Sequence, residues 1–371
     1  MLPGHATAEG TAAYAARFHA LAEAGHFRRA KGVGGEAWMA PSLGLGTYLG
    51  EADDATDAGY AEAIAAALDG GINLLDAAIN YRHQRSERAI GRVLGSGRYR
   101  REEIVVCTKA GFFPFDGDMP ADPRAYIFST YLQSRLAHPG QIAAGAHCMA
   151  PVFLADQLQR SRQNLGLETI DVFYLHNPET QAAGLSREEF YRRLREAFAF
   201  LEKAVANGLI RYYGAATWSG LRVAPDHVEY LELSRMAALA REIGGEEHHF
   251  RFVQLPYNLQ MPEASVLMNQ PVEKPPYVSL LGAAARLKIN VVASASLAAG
   301  QLRGLNAEAL EYLRPFLAPA ESAVDCALQF SRASVLTALV GMSRAEHAAA
   351  NLRVAAWPPP SAVQISRLLR Q

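Results

Sequence analysis

Four side chains that can exchange protons stand where short apolar segments of this 371-residue chain end. Asp76, Lys109 and His176 close three such segments, and Tyr81 lies five residues beyond Asp76. A carboxylate, an ammonium, a phenol and an imidazole are costly to remove from water unless they pair, and titrating groups with perturbed pKa values cluster in functional clefts. If the fold brings them together, these four residues can perform general acid and base catalysis.

Eight β-branched or aliphatic runs alternate with segments of helical periodicity, which is typical of parallel β/α units. Eight parallel strands lose their edges when the sheet closes into a (β/α)8 TIM barrel, whose reacting groups lie at the carboxyl ends of the strands. An open doubly wound sheet is the alternative, although Gly44, Gly46 and Gly50 miss the G-x-G-x-x-G spacing of its dinucleotide turn. The predicted strands are Leu43 to Thr47, Ile72 to Asp76, Ile104 to Lys109, Asp171 to His176, Ile210 to Ala215, Phe252 to Leu255, Ile289 to Ser294 and Leu336 to Val340.

The predicted helices have recognisable ends. Apolar residues recur every fourth position from Tyr60 to Leu68 before Gly70 stops the run. Ser186 and Glu189 have the S-x-x-E spacing of a capping box that opens a helix. An extra short amphipathic helix is predicted near the C-terminus, at Ile365 to Leu369.

Composition excludes several classes of protein. Lys and Arg total 36 against 37 Asp and Glu, a formal net charge of −1, so there is no basic surplus for nucleic acid. Half of the residues are apolar without a membrane-spanning run, and the N-terminus does not resemble a secretory signal, so we expect a cytoplasmic protein that does not bind membranes. The pairs His147–Cys148 and His248–His249 have no convincing further ligands, and we expect no metal site.

The segment from Asp76 to Tyr81, Asp-Ala-Ala-Ile-Asn-Tyr, resembles the D-T-A-x-x-Y element of the aldo-keto reductases. The similarity covers about residues 33 to 355. Its other elements are Gly44-Leu45-Gly46-Thr47, Ser86-Glu87 with Ile90-Gly91, Thr108-Lys109 at a strand end, Asp171 to His176, Ile210 to Gly214, Gln254 with Tyr257-Asn258, and Gly341 with Glu346 and Asn351.

The resemblance implies an enzyme that reduces an aldehyde or ketone, a small-molecule carbonyl, with NADPH as the expected cofactor and NADH as the alternative. Tyr81 would protonate the carbonyl oxygen as general acid, and His176 would orient the carbonyl. Lys109 would lower the pKa of Tyr81, while Asp76 would keep Lys109 charged and in place. The oligomeric state stays open.

The family's cofactor contacts are only partly matched. Ala216 and Thr217 stand where the family often has Ser-Asn, and Ser294 stands where an aromatic often stacks on the nicotinamide, so Trp218 is a candidate for stacking or else a rim aromatic. Arg344 either pairs with an adenosine 2′-phosphate or is an ordinary helix charge. The implied cofactor-binding residues are Gly46, Thr47, Thr217, Gln254, Ser294, Ser343, Arg344 and Asn351.

An insertion interrupts an otherwise single barrel domain spanning 1–371, with an N-terminal extension at 1–33. The chain from Lys109 to His176 is about twice as long as that from Asp76 to Lys109, and the surplus falls at 113–150, after the third strand. Loops at that end of a barrel cover the active site. We therefore hypothesise that the insertion is a lid or wall of the substrate pocket; the alternative is that it forms an oligomer contact or has no role in the site. The expected substrate-binding residues are Phe112, Phe113 and Trp218.

Two other functions stay open. The altered nicotinamide contacts suit a non-catalytic or regulatory barrel that binds a dinucleotide. Such a protein, however, does not need a general acid whose pKa is lowered by a neighbouring ammonium. A Schiff-base lyase would use Lys109 as its nucleophile. That reaction needs a lowered Lys109 pKa, whereas a neighbouring Asp76 would raise it.

Overall fold

A closed barrel of eight parallel strands forms the centre of the computed structural model, which describes residues 1–272 and 276–370. The strands, in chain order, are β1 (Phe27–Arg29), β2 (Met39–Pro41), β3 (Leu43–Gly46), β4 (Leu74–Asp76), β5 (Val105–Ala110), β6 (Ile170–His176), β7 (Ile210–Ala216), β8 (Phe250–Pro256), β9 (Asn290–Ser294) and β10 (Thr337–Gly341). Strands β3 to β10 pair in sequence order, and β10 closes the ring against β3. The predicted (β/α)8 barrel is confirmed and the open sheet is wrong.

Helices surround the barrel. They are α1 (Ala8–Ala16), α2 (His19–Glu23), α3 (Asp54–Gly70), α4 (Arg85–Leu94), α5 (Pro123–Ile127), α6 (Pro151–Leu165), α7 (Glu179–Ala182), α8 (Arg187–Ala206), α9 (Leu233–Gly244), α10 (Glu263–Val266), α11 (Leu280–Arg286), α12 (Ala307–Leu317), α13 (Ala323–Ala333), α14 (Ala345–Ala355) and α15 (Ala362–Leu368). None of the helices within the described ranges is long and apolar enough to cross a membrane.

Local sequence explains where these elements begin and end. The Asp53 carboxylate accepts from the backbone N–H of Thr56 at 2.7 Å to open α3, and Gly71 ends it at φ +114°, a conformation that glycine adopts without a side-chain clash. Ser186 caps α8 as predicted, through a 3.2 Å hydrogen bond from Glu189 N–H. The Glu189 carboxylate does not complete the capping box, because it pairs with Arg192 and Arg193 instead.

The N-terminal residues close one end of the barrel. Strands β1 and β2 form an antiparallel ribbon, which sequence periodicity did not predict. Trp38 is buried between Tyr212 and Phe252, with its ring stacked on Phe252 at 5.9 Å. This contact lies toward the amino ends of the strands, so the opposite, carboxyl end is the one left for a site.

Residues 113–150 fold around a small apolar core of their own. Phe113 stacks on Tyr131 at 4.9 Å and meets Phe153 of α6 edge-on at 5.0 Å, and Cys148 is fully buried beside them. The Tyr131 hydroxyl donates to Pro114 O at 2.7 Å. The segment is thus packed against α6 through Phe153.

Candidate active site

Asp76, Lys109 and Gln254 form a buried polar network at the carboxyl end of the barrel. The Lys109 ammonium donates to Asp76 Oδ1 and, at 2.8 Å, to the Ala77 carbonyl. Gln254 Nε2 donates to Asp76 Oδ2 at 2.9 Å. Burial alone would lower the pKa of Lys109, but the Asp76 carboxylate and, to a smaller extent, Tyr81 together raise it, so Lys109 stays charged. The Ala77 carbonyl and the Gln254 amide thus bond to the two members of this buried ion pair and hold them in position.

Tyr81 lies above this network, on the turn that follows β4. Lys109 Nζ is 4.9 Å from the centroid of the Tyr81 ring, and the Tyr48 ring meets it at 4.9 Å. The ammonium favours the phenolate, as predicted, but burial outweighs this effect and the pKa of Tyr81 is raised. Lys109 thus acts on Tyr81 in the predicted direction, and the net increase comes from desolvation, which the sequence alone does not reveal.

The turn after Tyr81 has an unusual backbone. Arg82, His83 and Gln84 have φ of 46°, 54° and 72°, in the left-handed region that residues other than glycine rarely adopt. Arg82 Nη1 donates to the buried Asp57 carboxylate at 2.7 Å, and Gln84 Nε2 donates to Phe115 O in the insertion at 2.8 Å. These bonds hold the turn, and with it Tyr81, in one place.

His176, the last residue of β6, faces Tyr81 across the mouth. The two rings meet edge-on at 5.8 Å, and Phe112 meets the other side of His176 at 5.1 Å. Burial, followed by the Lys109 ammonium, lowers the pKa of His176 well below its ordinary 6.5, so the imidazole is neutral. Its Nδ1 atom is buried and has no hydrogen-bond partner among the described residues. The structure thus brings all four predicted proton-exchanging residues together.

The three residues predicted to face the substrate occupy different positions. Phe112 is half-buried beside His176, and Trp218 is 56% exposed at the rim. Phe113 does not reach the mouth, because its ring is taken up by the insertion core with Tyr131 and Phe153. The expectation that Phe113 lines the pocket is wrong.

The predicted cofactor residues lie along the strand ends from β3 round to β10. The backbone of Gly46 pairs with Asp76 and Gly341, and Thr47 Oγ1 donates to Asp76 O at 2.9 Å, so both shape the mouth. Thr217 Oγ1 is buried without a partner in the described part of the chain, while Ser294 and Ser343 are half-buried. Arg344 is exposed and Asn351 is buried in α14.

Two buried residues near the mouth were missed or misread. Glu179, three residues after His176, accepts from the backbone N–H groups of Trp218 and Ser219 at 2.5 and 3.1 Å. Burial raises its pKa to about 7. His147, whose sequence neighbourhood suggests only a metal ligand, has its Nε2 atom 2.7 Å from the carbonyl oxygen of His176. No set of three or more His, Cys, Asp or Glu side chains within 1–272 and 276–370 could hold a metal ion.

The model of the aldo/keto reductase family matches residues 42–368, and the chain belongs to that family of oxidoreductases.

Individual relatives are distant. An NADH-specific methylglyoxal reductase of Escherichia coli is 27% identical over 167 residues, 45% of this chain and 42% of that protein. A glycerol dehydrogenase of Gluconobacter oxydans superposes with a TM-score of 0.64 at 18% identity, covering 93% of this chain and 94% of that one. An aldo/keto reductase of Klebsiella pneumoniae, in complex with NADP and acetate, superposes with a TM-score of 0.60 at 18% identity, covering 92% and 94%. The structural neighbours bear out the fold.

Proposed function

We propose that this protein reduces an aldehyde or ketone to an alcohol, with Tyr81 as general acid and NADPH as the preferred cofactor. The observation that supports it best is the placing of Tyr81 between the charged Lys109 and the neutral His176. A proton donor, a group that stabilises the resulting anion and a neutral hydrogen-bonding ring then surround one point at the mouth.

The residues on the β7 to β10 side fit a nicotinamide dinucleotide. The buried Thr217 Oγ1 has no partner among the described residues, and the Thr217 N–H donates to the backbone carbonyl of Gln254 in β8 at 2.7 Å. Arg344 stands at the N-cap of α14, where backbone N–H groups and a free guanidinium favour a phosphate. Among the described residues, no carboxylate forms an ion pair with Arg344, so a 2′-phosphate is a fitting partner and NADPH is favoured over NADH.

The bound cofactor would supply the hydride that the carbonyl carbon accepts. As the electron pair of the C=O bond moves onto oxygen, Tyr81 donates its proton there, and the product is the alcohol. The tyrosinate left behind is stabilised by the Lys109 ammonium, which Asp76 holds in place, and it recovers a proton from solvent at the half-buried mouth. His176, neutral at ordinary pH, orients the carbonyl oxygen.

Aromatic residues at the rim, beside the insertion at 113–150, supply the substrate face in this proposal. Phe112, Tyr48 and Trp218 surround the mouth with aromatic surface, which suits a carbonyl carrying an apolar substituent. Lys109 as a Schiff-base nucleophile is disfavoured, since the Asp76 carboxylate keeps its amine protonated.

The test uses purified protein with NADPH or NADH and a panel of small and bulky aldehydes and ketones. Cofactor binding is measured by the change in fluorescence, and turnover by the loss of reduced-nicotinamide absorbance. We expect cofactor binding and turnover with NADPH, and one molecule of alcohol formed for each NADPH oxidised. Binding of NADPH without turnover of any carbonyl would favour the non-catalytic dinucleotide-binding barrel, and borohydride trapping of a carbonyl on Lys109 would favour the lyase.

A further inference from the structure

His147, a fully buried histidine near the end of the insertion, contacts the backbone of the candidate active site. Its Nε2 lies 2.7 Å from the carbonyl oxygen of His176. Its ring meets Phe112 edge-on at 5.1 Å, and Phe112 in turn meets the His176 ring at 5.1 Å. His147 therefore bonds to the main chain of His176 directly and is linked to the His176 ring through Phe112.

The hydrogen bonds around His147 define its tautomer. The His176 carbonyl oxygen can only accept, so His147 Nε2 carries the proton, and in the neutral ring Nδ1, 3.3 Å from the Gln181 amide nitrogen of α7, carries none. Arg193 of α8 fixes that amide by donating to Gln181 Oε1 at 2.9 Å. Burial lowers the pKa of His147 to about 4, so this pattern persists at neutral pH.

The backbone leaves room for this contact at one glycine. Gly111, directly after β5, has φ +153°, and a Cβ there would stand 2.7 Å from His147 Nε2 and 2.8 Å from His176 O. The Cys148 N–H donates to Gly111 O at 2.8 Å, and Phe112 pairs with His147 as an antiparallel bridge. The end of the insertion is thereby fastened between the ends of β5 and β6.

We propose that His147 is a positioning residue for His176, so that the insertion is part of the active-site machinery. The proposal rests on the proposed function, in which His176 orients the carbonyl. The Nε2–H donor fixes the end of β6, and the Phe112 contact fixes the tilt of the His176 ring. A small misplacement of such a group costs rate rather than cofactor affinity.

Two substitutions separate the hydrogen bond from the bulk of the ring. His147→Phe keeps an aromatic ring against Phe112 but removes the donor to His176 O, whereas His147→Gln retains an N–H at a similar reach. We expect His147→Phe to lower kcat/KM for the carbonyl roughly 10- to 100-fold, mostly in kcat, with NADPH affinity within about 2-fold of the unmodified protein. His147→Gln should recover activity to within about 3-fold.

His26 offers a matched control. It is also fully buried, its two ring nitrogens contact Ser42 Oγ and Gly71 O at 2.9 and 3.2 Å, and it lies near the amino ends of the strands. His26→Phe should lower stability while leaving kcat/KM of the folded protein unchanged. Equal kinetic losses in His26→Phe and His147→Phe, or no recovery in His147→Gln, would overturn the positioning role.

A second readout does not depend on turnover. The imidazole C–H signal of His176, assigned by comparison with His176→Gln, should be narrow and independent of pH from about 5 to 8 in the unmodified protein. We expect it to broaden or titrate in His147→Phe and to return in His147→Gln. An unchanged signal in all variants would overturn the proposal. Failure of every carbonyl to react would instead count against the proposed function alone.

Discussion

The two sides of the barrel mouth differ in how far the protein satisfies its own polar groups. On the β4 to β6 side, Asp76, Lys109 and Gln84 are buried, and each is bonded to other protein groups, while His176 Nδ1 has no partner among the described residues. On the β7 to β10 side, Thr217 Oγ1 has no partner within the described residues, and Arg344 forms no ion pair there. The ion pair on the first side is therefore organised before any ligand arrives, whereas His176 and the second side offer groups that a ligand can satisfy.

This contrast predicts that substitutions on the two sides have different consequences. Changes on the β4 to β6 side should affect both the free energy of unfolding and turnover, because the network stabilises the fold and performs the chemistry. Changes on the β7 to β10 side should mainly affect cofactor affinity. A variant on the β4 to β6 side that changes only cofactor affinity, or one on the β7 to β10 side that lowers stability and turnover, would contradict this difference.

We expect the largest effect from Lys109→Met. It leaves the Asp76 carboxylate buried without its cation, which costs about 3–5 kcal/mol in the free energy of unfolding. Turnover should fall by about 10³-fold or more, since the tyrosinate loses its ammonium. Urea unfolding and steady-state kinetics measure the two effects.

The double variant Asp76→Asn with Lys109→Met is the control for this pair. It removes both charges, so most of the lost stability should return while turnover stays low. Recovery of turnover as well would show that the pair acts only structurally.

The second prediction concerns pH and Glu179, on the boundary between the two sides. Its folded pKa of about 7 is above the 4.5 of the free carboxyl, so the folded state holds its proton more tightly. Stability should therefore fall as pH rises from about 4.5 to 7, by roughly 3 kcal/mol for this group.

Glu179→Gln should remove that contribution. The measurement is the free energy of unfolding of both proteins across this pH range, and the difference between them isolates Glu179 from other titrating groups. A difference that is constant with pH would contradict the raised pKa.

The third prediction concerns Arg344, on the ligand-dependent side. Arg344→Ala should weaken NADPH binding by about 1.5–3 kcal/mol, the loss of a charged hydrogen bond, and leave NADH binding and stability unchanged. Arg367→Ala, at an exposed position of α15, is the control. Equal losses for NADPH and NADH would mean that Arg344 does not contact a 2′-phosphate.

The smallest effect should come from the substrate wall. Phe112→Ala is expected to change the ratio of kcat/KM for bulky and small carbonyls by about 1 kcal/mol, as one altered pocket contact does. Phe113→Ala should lower stability without changing that ratio, because its ring packs on Tyr131 away from the mouth. A change of the ratio in Phe113→Ala alone would reverse their assignment.

Much of the barrel could be predicted from the sequence. Each predicted strand begins and ends within two residues of an observed one, because a parallel strand buried on both faces is a continuous apolar run between polar loops. The clustering of Asp76, Lys109 and His176 could also be predicted, since the carboxyl ends of parallel strands meet at one edge. The β1 and β2 ribbon could not be predicted, because its three-residue strands are too short to show a periodicity.

The parts that escaped prediction depend on contacts between distant segments. The role of Phe113 is decided by the fold of the insertion, which no spacing in 113–150 reveals. The contact of His147 with His176 O needs the insertion to return along Gly111. The raised pKa of Tyr81 depends on burial, and burial of a loop residue cannot be inferred from its neighbours in the sequence.

Tyr81→Phe removes the phenolic proton and keeps the ring, so it tests whether Tyr81 is the general acid; Tyr48→Phe is the neighbouring control. Single-turnover reduction of a reactive aldehyde at saturating NADPH measures the chemical step. We predict a loss of about 10²- to 10⁴-fold in Tyr81→Phe with NADPH affinity retained, and little change in Tyr48→Phe. A Tyr81→Phe protein that reduces the aldehyde at the unmodified rate would contradict the assignment of Tyr81 as the acid.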